Sequence, residues 1–80
     1  MAQYYVNPDD VEVDFVTNIR PSRSLIRILE RDGQIVPVLV RNHDGRFIVT
    51  NFTQAERVLA FRELKWPTIL IEDNWTEDDL

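Results

Sequence analysis

The chain has no cysteine, one histidine, two glycines and four prolines in its 80 residues. Without cysteine there is no disulfide framework, no thiol nucleophile and no cysteine-based zinc site. The single histidine, His43, falls in a turn, and no second imidazole exists to build a metal site or a nucleophilic pair. Two isolated glycines do not make a glycine-rich phosphate loop. The longest apolar run, Ile35 to Val40, is far short of a membrane span. The opening MAQYYVNPDD has neither the basic residues nor the apolar core of a secretory signal. These absences imply a soluble, cytoplasmic protein, in which the two Asn-x-Thr matches at Asn51 and Asn74 are coincidental.

What remains is ordinary for one small globular domain over residues 1–80, with 44% apolar and 29% charged residues. The net charge of −5 argues against a simple DNA coat, but the charges are segregated. Residues 1–19 hold four acids and no base, and residues 67–80 hold five acids and no base. All nine bases lie between Arg20 and Trp66, where they outnumber the acids by four. A basic middle between acidic ends can focus an anion locally; a solvated surface of mixed charge is the plainer alternative. The bases are Arg with one exception, Lys65, which suits bidentate pairing with carboxylate or phosphate.

The periodicities are clear. Val11, Val13 and Phe15 alternate with acidic residues, the pattern of a half-buried strand. Pro21 suits the start of a helix whose Leu25, Ile28 and Leu29 share a face and whose stop is Gly33. QIVPVLVR is rich in β-branched residues and predicts a strand, with Pro37 implying an edge or an interrupted ladder. Asp44-Gly45 is a hairpin signal leading into the partner strand RFIVT. Thr53 with Glu56 predicts a capping box opening a helix to about Leu64, which Pro67 ends before the strand TILI. The expected fold is α+β, a small mixed sheet of about four strands with two helices in the order β-α-β-β-α-β. Val11, Val13, Val38, Ile48 and Ile69 are the apolar residues expected in the sheet. Residues 72–80 read as an acidic tail, in which Trp75 is either a partner-binding element or the prelude to a helix capped by Thr76.

Several phrases in this order resemble the N-terminal domain shared by ParB partition proteins and sulfiredoxins. NIRPS supplies a leading Arg20, ERDGQIVPVLVR a glycine-to-proline strand, GRFIV a return strand, and ERVLAFREL with TILI the second helix and last strand. The resemblance runs from about Val11 to Ile71. ParB-like members carry a Gly-Glu-Arg-Arg type signature at the start of the second helix, which grips nucleotide phosphates. Here Gln54, Ala55, Glu56 and Arg57 occupy that place, so only the final Arg matches. Gln54 brings a Cβ where close backbone approach favours glycine, and Glu56 brings a carboxylate. Sulfiredoxin chemistry is excluded, because its reactive cysteine would fall at Ala55.

The resemblance implies an anion, nucleotide or nucleic-acid site built from Arg20, Arg23, Thr53, Gln54 and Arg57. Arg57 either binds an anion beside the capped amides, pairs with an acid such as Glu56, or points to water. No catalytic or metal-ligating set is legible, and the tail carboxylates lack the spacing of a calcium loop. The expected function is a non-catalytic ParB-like binding module of plasmid or phage type. It would dock on a nucleic acid or a DNA-maintenance protein through an Arg-bearing pocket. Two other readings stand beside it: a nucleotide-hydrolysing or nuclease enzyme of the same superfamily, and an acidic mimic of nucleic acid. No cofactor is expected beyond the nucleotide with magnesium that the resemblance implies.

Overall fold

The computed structural model describes residues 2–14 and 19–73. The elements run β1 (Ala2–Val6), a 3-10 turn (Pro8–Asp10), β2 (Val11–Val13), α1 (Arg23–Asp32), β3 (Val38–His43), β4 (Arg46–Val49), α2 (Phe52–Glu63) and β5 (Ile69–Asp73). The α+β class is the expected one, with two helices and a mixed sheet of five strands in the order β1-β5-β3-β4-β2. The additional strand is β1, which pairs antiparallel with β5. Its sequence, AQYYV, has two adjacent tyrosines and no period of two, so alternation does not announce it.

β3 divides its ladder between two neighbours. Val38–Val40 run parallel to β5, and Arg41–His43 run antiparallel to β4. β1 and β2 lie at opposite ends of the strand order, yet only residues 7–10 connect them. In a flat sheet they would stand roughly 19 Å apart, four strand spacings. The five steps from Val6 to Val11 reach at most ~17 Å even when extended, and three of these residues are wound into the 3-10 turn. The sheet therefore coils toward an open barrel. Tyr4 of β1 meets Phe47 of β4 across its inner face, with ring centroids 5.3 Å apart.

The inner face carries Val11, Val38, Val40, Val49, Ile69 and Ile71, each no more than 3% exposed, with Val13 packed beside them. Ala55, Val58 and Phe61 of α2 and Leu29 of α1 close over it. Ile48 belongs to β4 but pairs with Glu12 and Arg41 on the outer face. With a side-chain period of two, Val49 takes the inner place instead.

The strand expected from Gln34 begins only at Val38, after Pro37, which has no N–H to give a ladder. Ile35 and Val36 are left outside it and exposed. Gln34 replaces the missing strand with its side chain. Its Nε2 donates to the Leu70 carbonyl and its Oε1 accepts from the Leu70 amide, both at 2.7 Å. The hairpin turn is as expected, with Asp44 and Gly45 both at positive φ (52° and 81°).

α1 begins at Arg23, two residues after the expected start at Pro21, with the Ser22 hydroxyl accepting from the Leu25 amide, and stops at Gly33 as expected, with φ 73°. α2 is capped by Asn51 and not by Thr53. The Asn51 Oδ1 accepts from Thr53 N at 2.8 Å and Gln54 N at 3.3 Å. Thr53 is already the second helical residue, and Glu56 turns away from it to accept from the backbone N–H of Ser22 at 2.9 Å. Asn51→Ala is accordingly expected to cost about 1 kcal/mol, or about 4–8 °C in Tm for a domain of this size. Thr53→Ala should leave the melt unchanged. Equal losses for the two variants in thermal denaturation would return the cap to Thr53.

α2 closes at Leu64, and the chain reverses at Lys65 (φ 59°), ahead of Pro67. Glu72 and Asp73, assigned above to an acidic tail, belong to β5. Phe15, Trp75, Thr76 and the rest of 74–80 lie outside the described residues.

Candidate functional site

The five residues expected to form one site line different parts of the surface. Arg20 and Arg23, both exposed, flank an open cavity of about 440 Å³ beside Ile26, Leu59 and Glu63. Gln54 lines a second, of about 200 Å³, with Arg41, Thr50 and Asn51. Arg57 lines a third, of about 270 Å³, between α1 and α2. Thr53 is exposed and lines none of the three. Arg57 thus lines a different cavity from Arg20 and Arg23.

The helix start that the resemblance marks as a phosphate grip is occupied by its own side chains. The Thr53 and Gln54 amides are taken by Asn51 Oδ1, and the Ala55 amide by the Asn51 carbonyl at 2.9 Å. Gln54 Oε1 accepts from the Leu39 amide at 3.1 Å, completing β3 where β4 has already ended. Glu56 ties the start of α1 to α2. Each of these groups completes a backbone element that would otherwise lack a partner.

Arg57 points elsewhere. It is half-buried and, among the described residues, makes no hydrogen bond or ion pair. The groove it borders is lined by Leu25, Ile28, Leu29, Ile35, Val36 and Phe61. Ile28, Ile35 and Val36 are 42%, 73% and 49% exposed, so they form an open apolar surface with one cation in it. Leu25, Ile28 and Leu29 share one face of α1, as their spacing predicts. Ile35 and Val36 join them because Pro37 keeps the two out of β3.

Other arginines are committed. Arg46 donates from Nε and Nη2 to the Glu12 carboxylate at 2.9 and 2.7 Å. That hydrogen bond holds the Glu12 carboxyl below its ordinary range and raises Arg46 above its own. Arg31 pairs with Asp32. Arg62 donates to the carbonyls of Pro8 and Val11. Among the described residues no group of three His, Cys, Asp or Glu is placed to hold a metal ion. No described helix is long and apolar enough to cross a membrane.

No protein-family model, curated protein or solved structure matches this chain.

Proposed function

We propose that the chain is a non-catalytic binding module of ParB-like kind, acting in the cytoplasm and docking on a protein of DNA maintenance through the Arg57 groove. The run of elements from β2 to β5 supports the resemblance, being the order it implies. The observation that carries the protein-docking reading is the composition of the groove: six apolar side chains, with Gly33, Gln34 and one arginine. An exposed apolar surface of this kind marks a contact with another macromolecule, and an arginine within it selects a carboxylate. A nucleotide would instead need the first-turn amides of α2, which Asn51 already holds.

The reading is tested by amide chemical-shift mapping of the full chain with three probes. These are an acetylated helical peptide of leucine and glutamate, ATP with magnesium, and a short duplex DNA. The peptide is expected to move the amides of Ile28, Ile35, Val36 and Arg57. Arg57→Gln should weaken it roughly tenfold, the loss of one charge-assisted bond. The same substitution should shift Tm by no more than about 2–4 °C, since the side chain supports nothing in the fold. Shifts confined to Asn51 and Gln54 with ATP, or to Arg20 and Arg23 with DNA, would overturn protein docking in favour of those ligands.

A further inference from the structure

Resting on the docking reading above, we infer that the partner segment is an amphipathic helix of about two turns, its apolar stripe flanked by carboxylates. The shape of the groove argues for a helix. Leu25, Ile28 and Leu29 cover about 6 Å of one wall at the helical rise, and Ile35 and Val36 carry the wall onward beyond Gly33. That length takes anchors at i, i+3 or i+4, and i+7 from a single helical face. An extended peptide would need a strand edge to pair with. The polar groups of Leu70, which β3 leaves open beside this groove, are already taken by Gln34.

Charge decides the flanks. Arg27 is exposed on α1 next to Ile28, whereas Arg23 borders a different cavity and Arg31 is paired with Asp32. Arg57 stands on the opposite wall. The acids of α1 are Glu30 and Asp32, and Asp32 is already held by Arg31. A chain with a net charge of −5 thus presents, among the described residues, one uncommitted cation on each rim of its open apolar groove, Arg27 on α1 and Arg57 on α2. A helix flanked by carboxylates meets an arginine on each side, and one flanked by lysines meets repulsion on each side. Nucleic acid would satisfy the two arginines and leave Ile35 and Val36 uncovered.

Two fluorescent helical peptides with the same leucine stripe, one flanked by glutamate and one by lysine, separate these possibilities by anisotropy. The glutamate peptide is expected to bind the full chain at least tenfold more tightly. In Arg27→Gln/Arg57→Gln that preference should shrink to about twofold, and Ile35→Ser should weaken both peptides alike. Equal affinity for the two peptides, or a lysine preference, overturns the acidic flanks while leaving the groove as a docking site. Displacement of the glutamate peptide by short duplex DNA at an equal concentration overturns the inference in favour of phosphate. If neither peptide binds and no groove amide shifts, the docking reading falls and this inference falls with it.

Discussion

Truncating Phe61 to Ala is expected to lower Tm by at least about 12 °C or to abolish the cooperative thermal transition. Phe61 is 1% exposed and lies 4.8 Å from the Trp66 ring, centroid to centroid, at 46° between planes. It sits on α2 where that helix meets the inner face of the sheet, and it floors the groove against Leu25 and Leu29. Removing a buried phenyl ring costs about 3–5 kcal/mol, in lost transfer energy and in the cavity left behind. A domain of this length has a total stability of roughly 4–12 kcal/mol, so one substitution removes much or all of it. Phe61→Leu keeps most of the volume and is expected to cost less than ~1.5 kcal/mol, preserving a sharp melt at lower temperature. Circular dichroism of the two variants checks this. A cooperative Phe61→Ala transition within a few degrees of the parent would mean that the core is not centred on this ring.

How much of this was legible in the sequence depends on how far apart the interacting residues lie. Alternation at Val11 and Val13, the Asp44-Gly45 turn and the Gly33 stop are local signals, and each appears where the residues place it. The cap of α2 is different. Asn51 and Thr53 are both good caps two residues apart, and the choice between them follows from where β4 ends with Val49 facing inward. The extent of β3 was overdrawn for a similar reason. Ile35 and Val36 have strand-like side chains, but Pro37 cannot continue the ladder, and Gln34 fills the gap with its carboxamide.

The site was less legible still. Arg57 could be placed on α2 from the sequence, but its surroundings come from Leu25 through Val36, brought in by the packing of α1. Local spacing holds no trace of that. The same holds for Gln54, expected in the site, and Glu56, expected in a capping box with Thr53, which are engaged with Leu39 and Ser22, fifteen and thirty-four residues away.

Arg62 is the clearest case of a residue whose role no local pattern shows, and replacing it with Met is expected to produce the second large loss of stability. Its Nε donates to the Pro8 carbonyl at 3.0 Å, and its Nη2 donates to the Val11 carbonyl. The Pro8 carbonyl belongs to the turn that joins β1 to β2 and the Val11 carbonyl to the first residue of β2, so Arg62 ties α2 to the link between the two edges of the sheet. Asp9 stands 3.7 Å away but is 76% exposed, so its ion pair with Arg62 contributes little. A hydrogen bond to a charged donor contributes about 1.5–3 kcal/mol. Losing two of them, partly offset by the retained aliphatic stem of Met, should cost roughly 2–4 kcal/mol. In a domain of this size that corresponds to a Tm lower by about 10–25 °C. Arg62→Lys should recover part of the loss, since an ammonium reaches one carbonyl more easily than two in fixed geometry. Asp9→Asn should change Tm by less than about 4 °C, and added salt should leave the Arg62 effect in place, because its partners are neutral carbonyls. Thermal melts of the three variants at low and high salt decide the matter. If Arg62→Met and Asp9→Asn lose the same small amount, and salt erases both, then Arg62 acts through the ion pair and the turn is held by other contacts.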